Sequence, residues 1–317
     1  MFGLGRDSPQ AHIRVIGRDK RALEDLKRLG AEVMQVDYEN QESVEAAMRS
    51  CDWVIIVPDD DASRVDHGRR VIDAAQSARV QNCILLSLAA VDRGRQKNLQ
   101  YIAQYGDLED HVKQKFQQGR YCIVRNDFFQ QYLYLWIAMM QRDKTIRMSL
   151  RDGDKFAPVN VEDIGHALLL IVMDKRDDIN MMIANHQQVL HFTGPKVMTV
   201  KDLVEKLNRS VRDMNMSYSE TSRDDLRQYL QALRREEDAR YMRSMARNEE
   251  DDPSRPQIEH LTDAFIETML DVFELIKTGS VNIVTDELEK ILGRKPMDIS
   301  DFFTNHREDF DPNMNRK

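Results

Sequence analysis

Three cations, Arg14, Arg18 and Lys20, sit around the end of a short apolar run, RVIG, in the segment HIRVIGRDK. A guanidinium at a strand end makes charge-assisted, often bidentate hydrogen bonds to phosphate. The trio therefore suits a ribose 2′-phosphate, although an Arg-Asp pair at such a place also serves as a plain solvated turn. Asp37 and Tyr38 end the next apolar run and could flank an adenine. Pro58, Ser87 and Ala89 end two further runs and could line the other half of an elongated ligand. For each of these, a strand end that simply needs a turn residue is an equal reading. Asp59-Asp60-Asp61, directly after DWVIIV, works against a pyrophosphate there unless a cation intervenes. Tyr101 and Tyr105 stand one helical turn apart. A phenol near its ordinary pKa of about 10 exchanges protons poorly at neutral pH without a nearby cation, and Lys97 and Lys113 each lie two turns from Tyr105. No residue is assigned a catalytic role.

The elements that must position these residues follow from period. Residues 12–17 read as a strand. Lys20 to Leu29 places Leu23, Leu26 and Leu29 on one helical stripe that stops at Gly30, a residue suited to a left-handed C-cap. Residues 31–36 form the next strand, 42–49 a short helix, and 52–57 a nearly continuous apolar strand of the kind found in a parallel sheet covered on both faces. The alternation continues with a helix over 64–78, strand 82–88, a helix over 99–116 and strand 121–125. This is a doubly wound α/β pattern, in which ligands bind at the carboxyl ends of the strands.

Its front end is missing. A dinucleotide fold opens with a strand, a glycine-rich turn and a helix whose N-terminal amides hold the pyrophosphate, together roughly 25 to 30 residues. Eleven residues precede His12, and Gly3-Leu4-Gly5 among them has no strand before it. The missing strand is normally central, so a gapped or rearranged sheet is expected.

Further along, Asn126 to Met140 (NDFFQQYLYLWIAMM) carries aromatic residues at helical spacing, including Phe128 and Phe129, and reads as core helix or dimer surface. Residues 156–161 read as a short strand, 162–173 and 199–212 as helices, and 224–248 as a long charged helix. The breaker EEDDPSRP follows, then further amphipathic helices. The expected division is an incomplete nucleotide-binding domain over 1–150 and a smaller, mostly helical lobe over 151–317, with the charged helix and linker near 224–257. That helix is a solvated element or a docking site for a partner.

Composition narrows the function classes. A net charge of −8 and a pI near 5.6 disfavour broad binding to nucleic acid or anionic membrane. No apolar stretch reaches the ~18 residues of a membrane span, and the N-terminus lacks the apolar run of a signal peptide. Cys51, Cys83 and Cys122 adjoin apolar strands without a C-x-x-C, as suits a reducing compartment. His186 and His191 flank a probable strand with no third ligand at an obvious spacing, so no metal is assigned. A cytoplasmic location, or a nuclear one through a partner, is expected.

The segments IRVIGRD, GAEVMQVDYENQESVEAAM, DWVIIV, GDLEDHVKQ, YCIVRNDFFQQ and FAPVNVEDIGHALLLIV resemble, in order and spacing, the NmrA-like family, atypical relatives of the short-chain dehydrogenase/reductases. The resemblance runs from His12 over nearly the whole chain and includes the final helices, FELIKTGSVNIVTDELEKILGRKPMDISDFFTNHREDF. It implies a Rossmann-like fold whose C-terminal region closes a cleft over a nicotinamide. It also implies that the 126–140 region, with Phe128 and Phe129, borders a substrate pocket. Some members of the family reduce quinones or azo compounds, while others are redox-sensing regulators that bind NADP or NAD. Reductases of the wider superfamily use Tyr-x-x-x-Lys on a helix, and aligning GDLEDHVKQ with its family counterpart puts Tyr105 in the lysine's place. The expectation is a non-catalytic regulator or scaffold, acting through an unidentified protein partner, with NADP bound weakly or not at all and a homodimer open. The alternative is an NAD(P)H-dependent reductase of quinone-like or azo substrates whose first strand is missing from this sequence.

Overall fold

The computed structural model describes residues 12–18, 20–117, 120–173, 188–211, 215–247 and 261–311. Gly3 to Gly5, His186 and the 249–256 breaker lie outside the described residues, as do the side chains of Lys20 and of residues 236–247.

Four parallel strands form the main sheet in the order β3, β4, β5, β7, with β3 Trp53–Ile56, β4 Asn82–Leu88, β5 Arg120–Asn126 and β7 Val189–Phe192. A separate parallel pair joins β1, Arg14–Gly17, to β2, Glu32–Gln35. Among the described residues no strand stands between β1 and β3, where the expected central strand belongs, and the two sets of strands are separate sheets. β6, Thr145–Met148, and β8, Ser217–Glu220, make a third parallel pair.

The helices start and stop where side chains satisfy their free ends. Gly30, at φ +98°, ends the Lys20–Arg28 helix with its N–H on Lys27 O, while Ala31 N–H reaches Leu26 O. Asn40 caps Gln41–Met48 by accepting from Glu42 N and Ser43 N. Thr199 and Asp202 form a reciprocal capping box on Val200–Ser210.

Three apolar layers hold the chain together. On one face of the sheet, Val54, Ile56, Cys83, Leu85 and Ile123 pack under the helices Gln41–Met48, Arg64–Ser77 and Gln100–Lys115, with Ile16 and Tyr38 at the margin. On the other, Ile84, Cys122, Val124 and Leu190 meet the helix Val161–Met173 and the short helix Glu287–Leu292. The largest layer surrounds Trp136 and joins the helices Val200–Ser210, Asp263–Lys277 and Ile299–Asn305. Burial pushes the thiols of Cys83 and Cys122 upward, the second to about 12, so both are inert.

Two expected elements differ. The single helix over 126–140 is a 3-10 segment, Gln130–Trp136, followed by an α-helix, Ile137–Asp143. The entry is held extended by a bridge in which Val159 N donates to Phe128 O and Gln130 N to Val159 O, each at 2.9 Å. The expected strand over 156–161 reduces to that bridge and one between Phe156 and Met198; Pro158 has no N–H with which to extend a ladder.

Candidate functional site

The carboxyl ends of β1 to β5 converge on one edge, as an open α/β sheet requires of a ligand site. Arg18, just past β1, is half-exposed, with Nη2 2.5 Å from Asp59 Oδ2 and Nη1 3.2 Å from Asp61 Oδ2. The acidic run that would repel an anion thus carries its own cation. The Ser63 N–H, opposed by burial and aided by Arg18, holds the Asp61 carboxyl below its usual range.

Arg14 is a correction. Four residues of strand advance roughly 13 Å, so Arg14 stands at the opposite end of β1 from Arg18. There it bonds Glu32 Oε2 at 2.9 Å, Ala47 O at 2.9 Å and Arg49 O at 2.8 Å. The expected cation cluster does not form around it, and the third member, Lys20, has no described side chain.

On the adenine side, Asp37 makes a local turn, accepting from Glu39 N at 2.9 Å, while its own N–H donates to Ser43 Oγ. The Tyr38 ring stacks on His67 with centroids 5.3 Å apart. His67 Nε2 lies 3.2 Å from Glu39, which Arg70 also holds. Asp37 and Tyr38 therefore come together at one edge, with one face of the tyrosine already covered.

On the nicotinamide side, Pro58 is buried, and Ser87 turns its hydroxyl away to donate to Glu109 Oε1 at 2.6 Å. Glu109 is itself gripped bidentately by Arg125, through Nε at 2.9 Å and Nη2 at 2.7 Å, and Arg125 also holds Asp92. Ala89 does line a narrow cleft, about 30 Å³ in volume, together with Tyr105, Phe128, Phe129, Tyr132 and residues of the Asp263–Lys277 helix. The expected pocket residues Tyr105, Phe128 and Phe129 are thus brought together; Pro58 and Ser87 are not among the lining residues.

Arg64 was not singled out in the sequence, where it is only the first residue of a helix. It is completely buried, and all five of its donors are used. Nε donates to Asp59 O at 2.7 Å, Nη1 to Gln104 Oε1 at 3.1 Å and to Tyr101 O at 3.4 Å, and Nη2 to Thr268 Oγ1 at 3.0 Å and to Asp60 Oδ1 at 3.2 Å. Its guanidinium carbon sits 4.6 Å from the centre of the Tyr105 ring. Thr262 Oγ1 donates to Asp60 O, and Tyr101 N donates to Asp271. The loop after β3 and the start of the Gln100–Lys115 helix are thereby fastened to the Asp263–Lys277 helix beside the cleft.

Burial drives the Tyr105 hydroxyl far above its ordinary value, with Arg64 offsetting only part of the rise, and burial does the same to Tyr132. Asp127, also missed, is a buried carboxyl pushed up to about 7 by burial. It accepts from Phe128 N at 2.6 Å and Ala157 N at 3.1 Å, which oppose the rise. Beside it, Asn126 Nδ2 donates to Ser87 O and Val124 O, which fixes the amide orientation and leaves Oδ1 buried without a protein hydrogen bond.

Among the described residues no group of His, Cys, Asp and Glu is arranged to hold a metal, and no helix is long and apolar enough to cross a membrane. His191 spends its backbone N–H on Glu287, and burial lowers its ring pKa.

A profile of the NmrA-like family matches residues 7–237. The chain belongs to the NmrA-like family. Its fold is that of the family's solved relatives. Escherichia coli NADPH-dependent quinone oxidoreductase complexed with NADPH superposes with a TM-score of 0.70 at 16% identity, covering 95% of this chain and 92% of that one. Citrobacter sp. triphenylmethane reductase complexed with NADP(H) gives 0.68 at 14% identity, over 93% and 90%. NmrA itself, a negative transcriptional regulator solved with NAD, gives 0.59 at 12%, over 92% and 85%. At such identities the likeness is one of fold. No curated protein matches. NmrA-like architecture therefore spans reductases and a regulator, and this chain's own residues must separate the two.

Proposed function

We propose that this chain is a non-catalytic NmrA-like regulator or scaffold that works through protein contacts and holds NADP weakly at most. The carrying observation is the state of the carboxyl edge. Arg18, the cation placed for a ribose phosphate, is spent on Asp59 and Asp61. Arg64, the cation nearest the nicotinamide side, has no donor left. A dinucleotide would have to break the first set of ion pairs and accept the remaining carboxylates as neighbours. Tyr105, in the place of the superfamily's lysine, is buried with a raised pKa and so neither gives nor takes a proton at neutral pH.

Asp127 favours a second reading, an NAD(P)H-dependent reductase of quinone-like or azo substrates. A carboxyl near 7 in an aromatic cleft is matched to general-acid work. Against it, both Asp127 oxygens are already bonded to backbone N–H groups. Stopped-flow NADPH oxidation with a benzoquinone, a naphthoquinone and an azo dye decides between them. The regulatory reading expects no turnover above the uncatalysed rate, and saturable oxidation that Asp127→Asn abolishes would overturn it.

A further inference from the structure

The carboxyl end of β5 supplies the polar part of the narrow cleft. Asn126, its last residue, and Asp127, the next, are 2% and 6% exposed, and both line the cleft. Their backbone is fixed: Ala89 N donates to Asn126 O at 2.8 Å, and Asp127 N donates to Phe192 O at 3.1 Å. Asn126 Nδ2 spends both of its hydrogens, on Val124 O at 3.1 Å and on Ser87 O at 3.2 Å. A flipped amide would set its oxygen against those two carbonyls, so the position of Oδ1 is determined. That oxygen is buried and accepts no hydrogen bond. A buried amide oxygen without a donor is destabilising, and a ligand that supplies the donor recovers the loss.

The rest of the cleft sets the size and charge of such a ligand. Its volume of about 30 Å³ is the share of one molecule in liquid water, so beside Asn126 it takes a hydroxyl-sized group and little more. Phe129, Tyr132 and Phe265 are half-buried lining residues and form a continuous aromatic lip, with ring centroids 5.1 Å and 5.6 Å apart. Met269 is buried further in; its unbranched side chain can shift to admit a guest. Among the described residues no lysine or arginine lines the cleft, so an anion would enter without a counter-charge. Asp127 adds no charge below about pH 7, because burial pushes its carboxyl up to about 7.

We propose that this cleft binds a small neutral hydroxyl compound, an alcohol or a phenol, whose hydroxyl donates to Asn126 Oδ1 while its carbon skeleton lies along the lip of Phe129, Tyr132 and Phe265. A hydroxyl both donates and accepts. Its oxygen is therefore suited to a neighbour such as Asp127, which has an O–H to give while it holds its proton. A carboxylate ligand has no hydrogen for Asn126, and a plain hydrocarbon leaves the amide oxygen unpaired. Binding requires neither a dinucleotide nor turnover, so the proposal stands or falls separately from the regulatory reading.

The test is titration of the full chain, labelled with carbon-13 in its methionine methyl groups, at pH 6 with phenol and with 1-butanol. The Met269 methyl signal is followed by NMR. Toluene and 1-chlorobutane, similar in shape but without the O–H, are the controls. At least one of the two hydroxyl compounds should shift the signal saturably, and its control should bind about tenfold more weakly, as expected when a buried acceptor stays unpaired. A response to phenol alone identifies the ligand as aromatic, and a response to 1-butanol alone as aliphatic. Val272→Trp, which adds bulk at a half-buried lining position, should abolish the shifts. Asn126→Leu should bring each hydroxyl compound level with its control; if that variant fails to fold, the wild-type comparison still decides. Equal affinity of hydroxyl compound and control, or no saturable shift with phenol or 1-butanol, overturns the proposal.

Discussion

Asp127 offers a prediction whose size can be worked from its surroundings. Its carboxyl is buried and pushed up to about 7 from 3.8. A folded pKa above the unfolded one means that the native state keeps a proton the unfolded chain has lost. The stabilisation is fully present below about pH 4 and is lost as the pH climbs through about 7. A gap of about three pH units corresponds to roughly 4 kcal/mol in all, of which about 2.5 kcal/mol falls between pH 5 and 7.5. Asp127→Asn cannot ionise. It keeps one acceptor for Phe128 N or Ala157 N and leaves the other N–H without a partner, at a cost of about 1–3 kcal/mol at every pH. Urea denaturation of both proteins at pH 5.0 and 7.5 separates the two effects. The wild type should lose about 2–3 kcal/mol more than the variant over that window, so that the variant's deficit shrinks or reverses at the higher pH. Parallel pH profiles would refute the claim that Asp127 is protonated in the folded protein at pH 5 to 7.

Other side chains make further expectations. Arg64→Met removes a buried cation and the hydrogen bonds it gives to Asp60, Gln104 and Thr268, and chemical denaturation should report a loss of about 3–5 kcal/mol. Arg64→Lys should recover only part of it, since an ammonium cannot reproduce the five-donor fork. Gly194→Ala places a Cβ 2.1 Å from Pro158 O, a backbone atom that cannot swing aside, so a clear drop in melting temperature is expected. Thr199→Ala deletes the capping box of the Val200–Ser210 helix and should cost about 1 kcal/mol. Arg18→Ala should change stability by less than about 1 kcal/mol, because the Arg18 ion pairs are half-exposed.

The strands most legible in the sequence were those buried on both faces. NCILLSL is a continuous apolar run because helices cover the sheet above and below, whereas DWVIIV is as apolar in sequence but leaves Ile55 and Val57 exposed on one face; each lies within a residue of its expected ends. Gly30 was legible for a different reason, since few residues other than glycine adopt its positive φ. β6 and β8 went unread because four-residue strands of mixed polarity, TIRM and SYSE, carry no usable period. Of the site, Arg18, Tyr38, Tyr105, Phe128 and Phe129 were readable as strand ends and a helical aromatic stripe. Arg64 was not, because its role arises from Gln104 and Thr268, 40 and 204 residues away, which no local pattern brings together. Asp127 lay unremarked within the 126–140 segment expected to be helical, and only the fold reveals that Phe128 N and Ala157 N bond its carboxyl and that it is buried.

The central claim is that this NmrA-like chain has closed its dinucleotide edge with its own ion pairs. Isothermal titration of the full chain with NADPH at moderate salt tests it most directly. The account predicts a Kd no tighter than about 1 mM, worth roughly −4 kcal/mol. A micromolar Kd that Arg18→Ala weakens would show that Arg18 leaves Asp59 and Asp61 for the ligand, and would contradict it.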